Sequence, residues 1–169
     1  MRGAKVTLYE GGIRSPLIVW GPRFIEKNKS GLRNKRSVFS AIDLVPSLMS
    51  LAKVAVPGDV KLDGENLLPT LLGKSDHSRH RPLYFRRPPD RKRWKKMTDL
   101  PDLAIRDGKW KLLCDYDGSK PQLYDIFSDH GETNNLAFNP DNTEISERMT
   151  KQVVAWHELM PADKSADFK

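Results

Sequence analysis

The stretch around which the chain is organised is residues 2–14, RGAKVTLYEGGIR. Its adjacent glycines, Gly11 and Gly12, allow backbone angles and close main-chain approaches that other residues do not. Past a Ser-Pro pair follows the unbroken apolar run LIVW at residues 17–20. Continuous apolar runs are typical of strands covered on both faces, so the pattern predicts a tight, charged loop leading into a buried strand.

Six sequence motifs follow one another along the chain. The first is Gly-x-Lys at residues 3–5 with Glu-Gly-Gly-Ile-Arg at residues 10–14. The others are IDLVPSL (42–48), LDGENLLP (62–69), RPLYF (81–85), AIRDGKWKL (104–112), and LYD (123–125) with GETNNLA (131–137). Together they cover nearly the whole chain, which therefore resembles the C-terminal portion of the formylglycine-dependent, arylsulfatase-like sulfatases.

The resemblance implies an α+β chain from the C-terminal part of an alkaline-phosphatase-like fold. Residues 1–73 would end the large α/β domain, and residues 74–169 would form a small domain whose antiparallel sheet is packed by a C-terminal helix. The residues support the second half independently. Asp107-Gly108 between two strand-like runs is a strong hairpin signal, and a second turn at residues 117–118 extends the hairpin to a meander.

Three helices are expected from the apolar spacing. Residues 37–52 predict a helix interrupted at Pro46, residues 67–72 a short helical piece stopped by Gly73, and residues 140–160 a terminal helix. Asp141 is the predicted N-cap of the terminal helix. Its apolar stripe is expected to be core and consists of Ile145, Met149, Val153, Trp156 and Met160.

The resemblance assigns roles to the opening loop. Lys5 aligns with a family lysine that binds sulfate, where an ammonium stabilises the negative charge that develops on the leaving oxygen. The alternative, a mobile surface lysine, stays open. Glu10, Gly11, Gly12 and Arg14 are expected to form a structural loop, with an ion pair between Glu10 and Arg14.

The cofactors that the family uses are expected to come from outside this sequence. The family nucleophile is a cysteine in a Cys-x-Pro-Ser-Arg motif, oxidised to formylglycine, and calcium is held by early aspartates and an Asp-Asn pair. The one cysteine here, Cys114, lies in Leu-Leu-Cys-Asp-Tyr, which does not match. We therefore expect the isolated chain to be inactive and to need an N-terminal sulfatase part as its partner. The resemblance implies a periplasmic, secreted or lysosomal protein.

Basic charge is concentrated in one segment. Residues 79–96 carry nine Lys and Arg against one Asp, a net +8, so the rest of the chain carries −1 of the total of +7. The segment is interpreted as a solvated loop or as a surface for sulfated or acidic glycans, with Arg86 and Arg87 selecting an acidic substrate. Nucleic acid is disfavoured because Trp94 is the only aromatic residue among the charges of residues 86–96.

Further binding modes find little support in the sequence. Of the four histidines, at positions 77, 80, 130 and 157, only His77 and His80 are closely spaced, and they lie beside the basic run with no cysteine or carboxylate cluster nearby, so no metal site is predicted. No apolar run approaches the ~20 residues that cross a bilayer. Residues 26–36 are expected to form an exposed connection, and residues 17–20, as a strand without neighbours, are expected either to pair with another copy of the chain or to leave an aggregation-prone edge.

Overall fold

The computed structural model describes residues 1–87 and 100–161. They fall into two compact units, one made of residues 1–15 together with the chain from Pro82 onward, and one made of residues 16–81. We name them the sheet unit and the helical unit. The domain boundary that the sequence predicts after Gly73 stays a prediction. The opening loop is expected from the sequence to belong with residues 16–73. It packs on the sheet instead.

The sheet unit contains a four-stranded antiparallel meander, as predicted. Its strands are β1 (Leu83–Arg86), β2 (Leu103–Asp107), β3 (Trp110–Cys114) and β4 (Gln122–Asp125), paired in chain order. Gly108, between β2 and β3, has φ +55°, and Gly118, before β4, has φ +82°. Both turns thus use the left-handed backbone region that glycine enters without steric cost, which is why the Asp-Gly pairs predict them.

The two faces of the sheet are covered by different elements. Side chains alternate along a strand, so Leu112 and Cys114 lie on one face while Lys111 and Leu113 lie on the other. The terminal helix α4 (Thr143–Glu158) covers the first face, where Met149 and Val153 are completely buried. Burial of each stabilises the fold by roughly 1.5–3 kcal/mol before entropy is counted. The predicted packing of the helix on the sheet is confirmed.

The start of the terminal helix differs from the prediction. A 3-10 turn at Pro140–Asn142 precedes α4, and the Asn139 side chain accepts a hydrogen bond from the backbone N–H of Asp141 at 3.0 Å. Asn139 is therefore the residue that caps this entry, and the assignment of Asp141 as the cap is wrong. Asn139 is the cap because the first turn begins at Pro140, so the residue just before that turn occupies the capping position.

The second face of the sheet is covered by the opening loop. Leu8 and Tyr9 are buried against Ala104, Leu113 and Tyr124, with Ile13 and Phe85 partly buried around them; all of these belong to the sheet unit. Residues 10–13 form a single helical turn, α1 (Glu10–Ile13). The sheet is thus the middle layer of three, between α4 and the loop that carries Lys5.

The helical unit contains α2 (Leu44–Ala52) and α3 (Leu68–Leu71). The piece predicted at residues 67–72 is confirmed, and Gly73 follows it with φ +70°. The helix predicted over residues 37–52 begins later, after a 3-10 turn at Ala41–Asp43. Pro46 lies in the first turn of α2 rather than in its middle, where it removes no helical hydrogen bond, so no kink arises.

The buried face of α2 is polar, contrary to the predicted apolar stripe. Asp43 and Ser47 are fully buried, whereas Ile42 and Val45 are 44% and 51% exposed. Arg79 donates from Nη1 to both carboxylate oxygens of Asp43, at 2.9 and 3.1 Å, and the N–H of Glu65 donates to Asp43 at 2.8 Å. These bonds fasten the start of α2 to two distant segments of the unit, which the periodicity of apolar residues does not indicate.

The strand predicted at residues 17–20 does not form. These residues belong to no strand, and Ile18 and Trp20 are 88% and 86% exposed. An apolar run becomes a strand when a neighbouring strand supplies hydrogen bonds, and the described residues supply none here. Among these same residues, no helix is both long and apolar enough to traverse a lipid bilayer.

Candidate functional site

The opening loop is fastened to the sheet at its first residues. Arg2 donates from Nη1 to the hydroxyl of Tyr124 at 2.9 Å and to the carbonyl of Glu132 at 3.3 Å. Its guanidinium also lies over the ring of Tyr9, 4.2 Å from the centroid. Because the backbone carbonyl of Arg2 accepts from the N–H of Gly11 at 2.8 Å, the loop closes on itself across α1.

A buried ion cluster holds the loop from below. The ammonium of Lys111, with a fully buried side chain, lies 3.0 Å from Oε1 of Glu10 and 2.8 Å from Oε1 of Glu132. The other oxygen of Glu132 accepts the backbone N–H of Glu10 at 2.7 Å. Glu10 and Glu132 thus share one lysine, and the cluster ties α1 to β3 and to the segment after β4. We name Glu10, Lys111 and Glu132 the anchor cluster.

The predicted ion pair within the loop is the weaker of Glu10's contacts. Arg14 Nη1 lies 4.0 Å from Glu10 Oε2, and the side chain of Arg14 is 41% exposed. Lys111 is closer and fully desolvated, so it is the principal partner of this carboxylate. The structure therefore places Glu10 and Arg14 together, as expected, while assigning the anchoring of the loop to a lysine 101 residues away.

The two adjacent glycines are required by close contacts. A Cβ on Gly11 would lie 2.4 Å from the carbonyl oxygen of Gly3, and one on Gly12 would lie 2.1 Å from that of Thr7. Both distances are shorter than any real contact, so only glycine fits here without movement of the backbone. Within this wrapped loop Val6 has φ +89°, an uncommon conformation for a β-branched residue.

An open groove of about 540 Å³ lies where the loop meets β1. It brings together all three predicted substrate-contacting cations, Lys5, Arg86 and Arg87, with no carboxylate among its lining residues. All belong to the sheet unit. The arrangement favours an anion, because positive charge is supplied from two segments that are 81 residues apart or more in the sequence.

The two arginines of the groove have different environments. Arg87 pairs with the carboxylate of Asp102 through Nη2, donates to the carbonyl of Leu100 at 3.4 Å, and its own carbonyl accepts the hydroxyl of Tyr116. Arg86 projects to the opposite face, where Nη1 contacts the carbonyl of Pro161 at 3.4 Å. Since no carboxylate of the described residues pairs with it, Arg86 keeps the freer charge.

Tyr84 also lines the groove, although the sequence analysis assigns no role to this residue. Its ring stacks on Trp156 with centroids 5.2 Å apart. Burial, with a further contribution from the charge of Asp107, raises the pKa of the Tyr84 phenol. The phenol therefore stays protonated at neutral pH and can act as a hydrogen-bond donor. Its position two residues before Arg86 on one strand was the signal that could have marked it.

The remaining candidate groups do not form a reactive centre in the described part of the chain. Burial, followed by the nearby carboxylate of Asp115, raises the pKa of Cys114 to about 12, so its thiol is held in the unreactive form. Residues 1–87 and 100–161 contain no group of three or more His, Cys, Asp or Glu able to hold a metal ion. The residues present thus do not fit the calcium site or the nucleophile that the resemblance implies.

A known family and several known proteins match most of this chain. The 4–158 region matches the family described as N-sulphoglucosamine sulphohydrolase, C-terminal. An N-acetylgalactosamine-6-O-sulfatase of Bacteroides thetaiotaomicron is 34% identical over 151 residues, which cover 80% of this chain and 26% of that protein. Arylsulfatase A of Homo sapiens is 31% identical over 157 residues, which cover 80% of this chain and 28% of that protein.

A solved structure shows the same fold. BT33336S-sulf, described with the metabolism of multiple glycosaminoglycans by Bacteroides thetaiotaomicron, has a TM-score of 0.53 and 27% sequence identity, over 72% of this chain and 25% of its own. Fold and matches define the C-terminal region of a sulfatase. The chain belongs to the N-sulphoglucosamine sulphohydrolase C-terminal family. It spans about a quarter of the length of these relatives.

Proposed function

We propose that this chain is the C-terminal part of a sulfatase that hydrolyses sulfate esters of sulfated glycans or aryl sulfates. The observation that carries the proposal is the groove lined by Lys5 of the opening loop, Arg86 at the end of β1 and Arg87 just after it, with no carboxylate among its lining residues. The relatives support the two substrate classes, since one is an N-acetylgalactosamine-6-O-sulfatase and another an arylsulfatase A. In this proposal Lys5 binds the sulfate group.

The contribution of Lys5 to the proposed reaction is electrostatic. When the S–O bond of a sulfate ester breaks, negative charge builds on the departing oxygen, and an ammonium within contact distance lowers the energy of that state. Such a group contributes only if it is held in place beforehand. The wrapped loop and the anchor cluster supply that placement, because they fix the backbone on both sides of Lys5 to a buried sheet.

The groove assigns separate tasks to its other polar residues. Arg86 attracts a second acidic group of the substrate, because its charge is not paired with a carboxylate of the described chain. Arg87 shapes the wall, since its guanidinium is held by Asp102.

Catalysis further requires an N-terminal sulfatase part as partner, which would bring the formylglycine and calcium that the family uses. Two observations support this. The chain spans only about a quarter of its relatives' length, and the helical unit exposes large apolar side chains, among them Ile18, Trp20, Val45 and Leu48. Large exposed apolar groups in proximity are typical of surfaces covered by another part of a protein. The 169 residues alone are therefore expected not to hydrolyse sulfate esters.

A domain exchange tests the proposed role of Lys5. The present chain replaces the matching C-terminal region of the Bacteroides thetaiotaomicron relative, and desulfation of its substrate is measured. Lys5→Ala is expected to lower kcat/KM by about 10²–10³, the usual effect of removing one group that stabilises developing charge. Lys61→Ala, a change of another exposed lysine, is the control. Equal activity of the Lys5→Ala and control chimeras would refute the assignment.

Two further variants test the groove and the need for a partner. In the same chimera, Arg86→Glu is expected to raise KM for a substrate with a second acidic group and to weaken its salt dependence; unchanged values would contradict the role of Arg86. Arg87→Glu is a poor probe because it would also leave Asp102 unpaired. Hydrolysis of an aryl sulfate by the isolated chain, lost with Lys5→Ala, would contradict the expected inactivity.

The second candidate function is a non-catalytic module that binds acidic glycans through residues 79–96. Its support is the net +8 of that segment. Three of its cations form ion pairs within the folded chain instead. Arg79 pairs with Asp43, Arg81 with Glu65 and Arg87 with Asp102. Residues 88–99 lie outside the described part. Retention on a heparin column at physiological salt that is lost on neutralising Arg91, Lys92 and Arg93 would favour this function.

A further inference from the structure

A second basic groove lies in the helical unit, where the sequence indicates only an exposed connection. Two segments line it, residues 29–36 and residues 73–76, around a volume of about 490 Å³. Its charged lining residues are Lys29, Arg33, Lys35, Arg36, Lys74 and Asp76. Five cations against one carboxylate give a strongly positive surface, although the chain outside residues 79–96 has a net charge of only −1.

The cations of this groove are not used by the fold. In contrast to Arg79, Arg81 and Arg87, none of the five has an Asp or Glu of the described residues within 4.0 Å. Four of them are exposed, and Lys29 is half-buried. Charged side chains that are brought together without partners repel one another, so the arrangement lowers stability unless an anion is bound.

The backbone beneath these cations is held in one conformation. Asn34 accepts from the N–H groups of Arg36 and Ser37 at 3.1 and 3.0 Å, and Ser37 donates to the carbonyl of Asp76 at 2.6 Å. Gly73, with φ +70°, leaves room for Leu32, whose Cδ2 would lie 3.2 Å from a Cβ at that position. The two basic segments are thus joined to each other, and their charges converge on a preformed surface.

We infer that this groove binds a linear sulfated polysaccharide, as a contact surface of the helical unit in addition to the groove that carries Lys5. It takes its ligand class from the proposed function. A polyanion is favoured because several unpaired cations can contact successive anionic groups, each of which adds modestly to affinity. Nucleic acid is disfavoured because no aromatic side chain lines the groove, and single strands rely on such side chains to stack their bases.

The test uses the 169-residue chain and needs no hydrolysis. Binding of a heparin dodecasaccharide is measured by calorimetry across a series of salt concentrations. The groove variant Arg33→Gln/Lys35→Gln/Arg36→Gln is compared with a control variant, Arg23→Gln/Lys53→Gln/Lys61→Gln, which removes three exposed cations of the same unit outside the groove. The groove variant is expected to bind about tenfold more weakly, from three exposed charge contacts. The control is expected to change by less than about twofold.

Each outcome decides the inference. A larger loss of affinity and a smaller salt slope in the groove variant than in the control support it, whereas equal effects overturn it. Tighter binding of a single-stranded DNA of equal charge overturns the assignment to glycans. If the groove variant fails to fold, Arg33→Gln/Lys74→Gln repeats the comparison with one change on each segment. A Lys5→Ala chimera as active as its control, which would refute the role of Lys5, would leave this result untouched, so the two proposals fail separately.

Discussion

At the scale of single residues, the anchor cluster is the costliest feature of the sheet unit. Lys111 and Glu132 are fully buried charges, and desolvation makes such pairs expensive unless every partner is present. Their value lies in fixing where the loop sits, since a shift of α1 would leave charges unpaired. The sequence contains one signal for this cluster, the lysine inside the otherwise apolar strand sequence WKLLC. The comparison of motifs did not use it.

Lys111→Met should therefore destabilise the chain strongly. Removing the lysine leaves two carboxylates close together and buried, for which the expected loss is about 3–5 kcal/mol in the free energy of unfolding. Urea denaturation followed by tryptophan fluorescence measures it. Lys109→Met removes a lysine that is 48% exposed and pairs with Asp125, and it should cost far less. Similar losses for both variants would show that the anchor cluster does not hold the loop.

Cys114 should be inert in the folded chain. Its pKa of about 12 lies above the ordinary value, so folding retains a proton that the unfolded chain releases between about pH 9 and 12. The stability contributed by this group is complete below pH 9 and falls as the pH rises through that window, at most by about 1.4 kcal/mol per unit. At pH 8 we expect labelling by a thiol reagent only in urea. Rapid labelling of the native chain at pH 8 would contradict this placement.

At the scale of elements, local rules predicted the sheet well and the helical unit poorly. The turns of the meander contain Gly108 and Gly118, whose left-handed backbone conformation the Asp-Gly pairs predict. The helix α2 is different, because Asp43 and Ser47 are buried by partners such as Arg79 that lie far along the chain. Periodicity detects an apolar face but does not detect a polar face buried by distant hydrogen bonds.

The entry to α4 gives a test of the corrected cap. Asn139→Ala removes the side chain that accepts from Asp141, and the expected cost is about 1 kcal/mol, as for other N-caps. Asp141→Ala keeps this bond, because the donor is a backbone N–H, and should lose only a small helix-dipole contribution. Thermal unfolding of both variants ranks them. A larger loss for Asp141→Ala would restore the cap predicted from the sequence.

At the scale of the whole molecule, the candidate site was predicted in its parts but not in its assembly. A motif indicated Lys5, the basic segment indicated Arg86 and Arg87, and all three line one groove. Their meeting depends on Arg2, Lys111 and Glu132, which act over more than 100 residues of sequence. Contacts of that range cannot be predicted from the spacing of residues, so the sequence indicates the candidate residues but not the contacts that hold them together.

The exposed apolar run is the feature that should govern association of the chain. Ile18 and Trp20 contact little within the described structure, so Ile18→Ser/Trp20→Ser should leave the unfolding midpoint nearly unchanged. The same variant should reduce self-association, because it removes the apolar surface through which copies of the chain would meet. Sedimentation velocity over a range of concentrations measures this. Unchanged association of the variant would show that copies meet through another surface.

The order of the sheet unit along the chain has a consequence for synthesis. The carboxylate of Glu132 that accepts the N–H of Glu10 lies 122 residues away, and the ammonium of Lys111 lies 101 residues away. On the ribosome, the opening loop emerges more than 100 residues before these partners are synthesised. Chains that stop short would present that loop unfastened and the apolar side chains of Leu8 and Tyr9 uncovered, which is the kind of surface that chaperones and proteases recognise.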